Sequence, residues 1–394
     1  MKVERRTITG YRILVWLCMV PYLEPSCVSG SLDIIYNIGK VTSFIICICM
    51  IFFSHEKRKV CAFEKYIICF YGIYLLSTII NNGNILRAFI ESITVVGFCL
   101  VICIFGFAKK RKQRWIYYQV VTDIYTVFLI INTLSIIKFP GGINALDSYF
   151  LGHDDALLYW IIPYNVFSFL YYKLSIKKRK VTAIHISIFI TIISLLVSKS
   201  TSGILSMILF MIVYFVVPKS IRVLGAINLT VLLMNLGFVV LKVHHGFSFI
   251  IEEILHKTVG LTGRDKIWDR VLYWVKQKPI LGYGYEESAV LIPKFTLTDG
   301  SYFRFAHCHN FLLQVMYNEG VIGILIFLIL YYVTYRRMLK GGINEYNRII
   351  VSSIISIMSA LLVNSYLQPI ALFTLLTMGY ETVRILKYRN QQYE

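Results

Sequence analysis

One segment of this sequence, residues 242–309, concentrates the side chains that acid–base and anion-binding chemistry requires. It holds nine Lys and Arg residues, seven Asp and Glu residues, and five of the eight histidines. A histidine with a near-neutral pKa suits proton transfer, and the guanidinium of an arginine binds phosphate groups bidentately. Loops longer than about 15 residues are usually either functional or disordered. The aromatic residues and an amphipathic stretch argue against disorder, so we predict a functional segment.

The amphipathic stretch begins at Arg264, and His309 stands at the start of the next apolar segment. Apolar residues recur at helical spacing between Arg264 and Gln277, and charged residues occupy the other face. Gly263 precedes the stretch as part of a cap, and Pro279 ends it. The spacing therefore predicts a helix over 264–277. Its apolar face comprises Ile267, Trp268, Leu272 and Val275, and its polar face Asp265, Asp269, Arg270 and Lys276.

The composition indicates which elements position these residues. The chain has 394 residues, of which 57% are apolar and 15% charged, with a net charge of +19 and a mean hydropathy of +0.67. A soluble domain of this length carries about a quarter charged residues. Nucleic-acid-binding proteins are basic but rarely this apolar. We therefore predict an all-α integral membrane protein and no nucleic-acid partner.

Apolar segments of about 20 residues, the length that crosses a bilayer, recur along the chain. The loops that connect these segments alternate between basic clusters and polar or acidic sequences. Short basic loops stay in the cytoplasm. About 12 spans satisfy this alternation, with both termini cytoplasmic and residues 242–309 outside. We divide the chain into a bundle of about nine spans (1–241), an extracytoplasmic catalytic loop with short amphipathic helices (242–309) and about three further spans (310–394). The predicted spans lie near 11–29, 34–54, 63–80, 85–107, 115–137, 156–174, 181–198, 203–217, 221–241, 310–333, 347–365 and 368–386.

Two motifs in this order resemble the bacterial O-antigen ligase and polymerase superfamily. The first is Gly263-Arg264-Asp265, then Trp268, then the run 278–284, which reads KPILGYG and includes Gly282 and Gly284. The second is His309-Asn310, nine residues, Gly320, two residues and Gly323. The second motif matches the ligase-type pattern of that family. The motif resemblance covers roughly residues 199–333.

The resemblance implies a glycosyltransferase without a metal or other cofactor in the bacterial cytoplasmic (inner) membrane. Its donor is an undecaprenyl-diphosphate-linked glycan, its acceptor a glycan hydroxyl, and its site faces outward among membrane lipids. We predict a polymerase of oligosaccharide repeats for a capsule, exopolysaccharide or O-antigen, working with other polysaccharide assembly proteins. The alternative is a ligase that transfers the glycan to a lipid, wall or protein acceptor. A transporter of lipid-linked glycans is a further alternative from a different class.

Within this interpretation His309 is the catalytic base, and Arg264 and Asn310 contact the diphosphate or glycan. The family often carries a Ser-Arg pair at an earlier outward helix end, where Thr201 stands here. Three other basic residues could supply the missing charge at the diphosphate: Lys199, Arg304 and Arg87. Trp268, Gly282, Gly284, Gly320 and Gly323 are motif residues with a structural role.

Structural alternatives remain for several of these residues. His309 could cap its helix, Arg264 could bind lipid headgroups, and Arg87 could pair with Glu91 four residues later. Gly320 and Gly323 could permit close helix packing. His307-Cys308-His309, with His244 and His245, could suggest zinc or copper, although the spacing matches no standard site. His153-Asp154-Asp155 could resemble a metal or acid–base cluster, but we favour a solvated loop in which Asp155 caps the next span. We predict no metal.

Overall fold

The computed structural model is almost entirely helical. It describes residues 2–28, 30, 32–53, 61–143, 148–174, 181–254, 258, 260, 263–296, 306–340, 342–362 and 370–390. Within these ranges there is one two-stranded antiparallel hairpin, β1 (Ser148–Tyr149) and β2 (Gly152–His153), in which Ser148 pairs with His153. The all-α prediction is confirmed for this part of the chain.

A helix lies in each of the twelve predicted segments. They are α1 (Lys2–Met19), α2 (Asp33–Phe52), α3 (Ala62–Ile80), α4 (Ile85–Val101), α5 (Arg111–Lys138), α6 (Leu158–Leu174), α7 (Val181–Ser198), α8 (Thr201–Met211), α9 (Ile221–Val240), α12 (Phe311–Lys340), α13 (Glu345–Ala360) and α14 (Ile370–Asn390). Wide π turns extend α4 through Ile102–Gly106 and α8 through Ile212–Val216. Two shorter helices lie between α9 and α12, namely α10 (Arg264–Gln277) and α11 (Ser288–Phe295).

Six of the described helices are long and apolar enough to cross a membrane: α2, α3, α4 with its π turn, α5, α9 and α12. Shorter apolar helices lie at Ile8–Tyr22, Ile184–Ser198 and Thr201–Val216. The protein is therefore an all-α membrane protein, and crossing by all twelve segments stays a prediction. The first segment differs from the predicted 11–29, because α1 ends at Met19 and a short turn, Val20–Tyr22, follows. Pro21 lacks the N–H that would continue the helix.

The outer surface of the bundle is apolar. Large hydrophobic side chains are exposed on many helices, including Ile34 (75%), Phe52 (77%) and Val216 (74%). Contiguous apolar surface on this scale is unfavourable in water and favourable against lipid tails. This surface supports the membrane assignment independently of the sequence pattern.

The centre of the bundle is formed by α13, nearly all of whose residues are buried. It packs against α6, α8, α9 and α14, while α12 packs against α3, α9 and α14. Small hydroxyl residues allow close approach of helices in a membrane, and Ser352, Ser353 and Ser356 lie buried on α13. The start of α12, the end of α9 and the end of α13 thus lie side by side.

Candidate active site

Asn310 joins the three helix ends at this point. Its Oδ1 accepts a hydrogen bond from the backbone N–H of Leu313 (3.0 Å), so it caps the first turn of α12. Its Nδ2 donates to the carbonyls of Asn235 on α9 (3.3 Å) and Leu362 after α13 (3.0 Å). The side chain is fully buried. These contacts give Asn310 a capping and positioning role, and contact with a glycan stays a prediction.

Trp268 connects α10 to the residues just before Asn310. Its indole Nε1 donates to the carbonyl of Cys308 (3.1 Å), and both side chains are fully buried. The N–H of Cys308 donates to Oε1 of Gln314 on α12 (2.9 Å). Arg264 lies one turn before Trp268, and residues four apart share a helix face. The fold therefore brings Arg264 close to His307 and His309, which the sequence separates by more than 40 positions.

His309 is held in a restricted environment at this junction. Its φ of 51° is left-handed, which is uncommon for a residue other than glycine, and its side chain is 9% exposed. The rings of His307 and His309 lie with their centroids 4.1 Å apart. Burial, then the neighbouring His307 and the Arg264 cation, lower the pKa of His309 to about 2. Burial and Arg264 likewise lower the pKa of His307 to about 4. Both imidazoles are neutral at physiological pH, the protonation state that a general base needs.

Residues 279–284, here called the strap, fill a break in α12. The backbone of Gly320 leaves the helical conformation (φ 64°, ψ −161°). The strap makes four backbone hydrogen bonds to α12 on either side of this break and so compensates for helical bonds lost there. The bonds are Tyr283 N to Tyr317 O (2.8 Å), Gly284 N to Asn318 O (2.7 Å), Val321 N to Pro279 O (2.9 Å) and Ile322 N to Ile280 O (3.3 Å).

The motif glycines allow this insertion. A Cβ on Gly282 would lie 2.4 Å from the carbonyl oxygen of Tyr317, and one on Gly320 would lie 2.2 Å from that of Ile280. A Cβ on Gly284 would lie 2.3 Å from the backbone nitrogen of Thr78 on α3. Gly323 is tight against the side chain of Glu319 in its own helix. Gly282, Gly284 and Gly320 therefore allow the strap to lie between α3 and α12.

The strap is also fixed to the end of α3. Asn81 donates to the carbonyl of Gly282 (3.0 Å), and Thr78 Oγ1 accepts from the N–H of Tyr285 (2.9 Å). Lys278, just before the strap, donates to the amide oxygen of Asn81. Because α10 leads directly into the strap, these contacts set where α10 and Arg264 stand relative to α12.

The other predicted basic residues lie at different places. Lys199 is exposed at the turn between α7 and α8, with a left-handed φ of 54°. The next residue, Ser200, caps α8, and both Ser200 and Ser202 donate to Asp155 (3.0 and 2.8 Å). Tyr159 lies within electrostatic reach of Asp155 and of Arg264. The α7–α8 turn is therefore near the Arg264 region, and direct participation of Lys199 stays a prediction.

Arg87 lies exposed in the first turn of α4, where its N–H donates to the cap residue Asn84 (3.1 Å). Its charge acts on Glu91, as the spacing predicts, and on Tyr285 beside the strap. Glu91 accepts a hydrogen bond from the hydroxyl of Tyr74 (2.6 Å). Among the described residues no contact joins Arg87 to His309. Arg304 lies outside the described residues.

The predicted histidine cluster separates into two groups. His307 and His309 lie beside Arg264, whereas His244 and His245 lie beside Asp265.

Sequence reasoning did not find the role of Asp265 or of the strap. A glycine in the middle of a long apolar helix was the available signal for the strap, since glycine there is unfavourable unless a break or close approach requires it.

Residues 186–328 match the family model described as O-Antigen ligase. This region is therefore similar to the O-antigen ligases. The predicted resemblance to the O-antigen ligase and polymerase superfamily is thereby confirmed. No curated protein matches the chain.

The matched region includes Arg264, Trp268, the strap and the sequence from His309 to Gly323. It covers a little over a third of the chain, from α7 into α12. Arg87 and the α3 residues that hold the strap precede it. The matched region therefore packs against helices that the family model does not cover.

Proposed function

We propose that this protein polymerises undecaprenyl-diphosphate-linked oligosaccharide repeats into a surface polysaccharide at the outer face of the bacterial cytoplasmic membrane. The observation that carries the proposal is a buried neutral His309 beside the Arg264 cation, both within the region similar to the O-antigen ligases. Members of this superfamily are glycosyltransferase-like enzymes. A ligase that transfers the glycan to another acceptor is the second candidate, because the matching family model is that of the ligases.

The transfer needs one base and one anion site. His309 takes the proton of the acceptor hydroxyl while that oxygen attacks the anomeric carbon of the donor. The bond from that carbon to the diphosphate breaks, and undecaprenyl diphosphate leaves with the bonding electrons. Arg264, at the N-terminus of α10, holds the leaving diphosphate through its guanidinium and the backbone N–H groups of the first helical turn. The residues of this step include no metal ligand.

Donor binding also prepares the base. In the free protein the Arg264 cation contributes to the low pKa of His309, which makes that imidazole a weak proton acceptor. A diphosphate on Arg264 brings negative charge next to both groups and offsets that effect. The pKa of His309 then rises towards the range in which a base works at physiological pH. This coupling delays deprotonation of the acceptor until the donor is in place.

Reconstitution of the purified protein with an undecaprenyl-diphosphate oligosaccharide, without added metal, tests the proposal. A ladder of product lengths supports polymerisation, and single transfer that requires a separate acceptor supports the ligase. His309→Ala should lower the transfer rate at least ~100-fold, the usual contribution of a general base, while donor binding is retained.

The matched control is His185→Ala, which removes an exposed histidine from α7 and should leave the rate unchanged. A transporter predicts a different pattern, namely movement of the lipid-linked glycan across vesicle membranes without transfer and without sensitivity to His309→Ala. That result contradicts the glycosyltransferase proposal.

A further inference from the structure

His244, His245 and Asp265 bring three metal-binding atoms together outside the proposed active site. His244 Nε2 lies 2.6 Å from Asp265 Oδ1, and His245 Nε2 lies 2.8 Å from Asp265 Oδ2. One ligand atom from each residue lies within 4.8 Å of the others. Two imidazole nitrogens and one carboxylate oxygen form a common three-residue set for zinc, with a fourth position open to water.

The buried member of this group, His244, pairs directly with Asp265 through Nε2 and Oδ1. Its other ring nitrogen, Nδ1, has no hydrogen-bond partner among the described residues. His244 is fully buried. A metal ion would replace the direct contact between Nε2 and Oδ1, and both atoms would move apart slightly to become its ligands.

The surroundings hold the three residues in place. His244 packs edge-on against Trp268, with ring centroids 5.5 Å apart, and against Phe238 on α9 (5.2 Å). The cation of Lys242 is engaged with Asp269 (2.9 Å) and with the backbone carbonyl of Asp265 (2.9 Å). The side chain of His245 is 54% exposed, which gives an ion a path from solvent.

We infer that His244, His245 and Asp265 form a binding site for a divalent transition-metal ion such as Zn²⁺. Imidazole ligands favour Zn²⁺, Cu²⁺ or Ni²⁺ over Mg²⁺ and Ca²⁺. The ion connects the turn after α9 to the first turn of α10, next to Arg264. Its role is to fix the position of α10, and the glycosyl transfer step does not pass through it. This proposed site differs from our sequence-based expectation of no metal.

Zinc titration of the full-length protein in detergent, after treatment with a chelator, tests the inference. We expect one Zn²⁺ per chain from calorimetry and elemental analysis, and a rise in the thermal unfolding temperature when the ion binds. His245→Asn and Asp265→Asn should each weaken binding at least ~10-fold and abolish the zinc-dependent rise. His245 is exposed, so its variant retains the buried packing of the protein.

Two control variants locate the site. Asp269→Asn changes the neighbouring carboxylate, which binds Lys242, and should retain zinc binding. His153→Asn alters the second group of possible ligands, His153, Asp154 and Asp155, and should also retain it. Absence of zinc binding to the unmodified protein overturns the inference. So does binding that survives both His245→Asn and Asp265→Asn, or binding that is lost in His153→Asn.

Discussion

At the residue scale, His309 combines three properties that rarely occur together: a left-handed backbone, burial and a neighbouring cation. Non-glycine residues in this backbone region cost of order 1 kcal/mol or more and cluster at functional sites. The conformation persists because both neighbours are fixed, Cys308 by Trp268 and Asn310 by three helix ends. His309 is therefore positioned by its neighbours, and its chemistry is adjusted by Arg264.

The pH dependence of the reaction follows from this arrangement. Activity that needs neutral His309 is lost only as the pH falls through its pKa, and in the free protein that pKa is about 2. We therefore expect kcat/KM, which reports the free enzyme, to show no loss from His309 between pH 8 and pH 5. The acidic limb of kcat, which reports the donor complex, should lie at higher pH. If the acidic limbs of the kcat and kcat/KM profiles coincide near the ordinary histidine pKa, the proposed link between donor binding and the pKa of His309 is contradicted.

The pH profile of the Arg264→Gln variant tests the effect of the Arg264 cation on His309. Removal of the cation should move the acidic limb of kcat/KM towards neutral pH, although burial, the larger cause, keeps it below the ordinary histidine value. Arg270→Gln is the control, since Arg270 lies on the same helix but donates to the carbonyl of Lys294 (3.0 Å). Its pH profile should match that of the unmodified protein.

At the element scale, the strap and the broken helix α12 form one unit. Four backbone hydrogen bonds join them, so we expect each to stabilise the conformation of the other. The strap continues from α10 and is fixed to α3 by Asn81 and Thr78. Displacement of the strap should therefore move Arg264 away from His309.

Gly320→Ala tests this dependence. Its backbone conformation is essentially restricted to glycine, and the new Cβ would lie 2.2 Å from the carbonyl oxygen of Ile280. We expect a loss of about 2 kcal/mol or more in stability, measured by thermal unfolding in detergent, together with loss of transfer. Gly72→Ala on α3 is the matched control, because no heavy atom lies within 4 Å of its added Cβ. Alanine favours a helix more than glycine does, so Gly72→Ala should lose no stability, and similar losses in both variants would contradict the dependence on the strap.

At the scale of the whole molecule, the net charge of +19 serves mainly as a topology signal. Most of the basic residues lie in the clusters assigned to the cytoplasmic side, whereas basic and acidic residues nearly balance within residues 242–309. Large exposed hydrophobic side chains on many of the described helices fit contact with lipid. The topology that we propose places Arg264 and His309 at the outer face.

Accessibility to a membrane-impermeant maleimide in intact cells tests the orientation. Tyr273→Cys places a thiol on α10, where the tyrosine is 52% exposed, and should react without permeabilisation. Lys112→Cys replaces an exposed residue at the start of α5, within a basic cluster, and should react only after permeabilisation. The unmodified protein measures the background from its nine cysteines. The reverse pattern would invert the proposed topology.

The sequence by itself determined the helical membrane architecture, the bounds of α10 and the family, because hydrophobic periodicity, charge and ordered motifs are local properties of the chain. Only the tertiary structure decided that Trp268 brings Arg264 to His309, that Gly320 marks a break filled by the strap, and that Asp265 joins two histidines. These contacts connect residues 20 to more than 40 positions apart, and local spacing does not encode such distances. The packing of α9, α12 and α13 fixes them, and that packing exists only in the folded bundle.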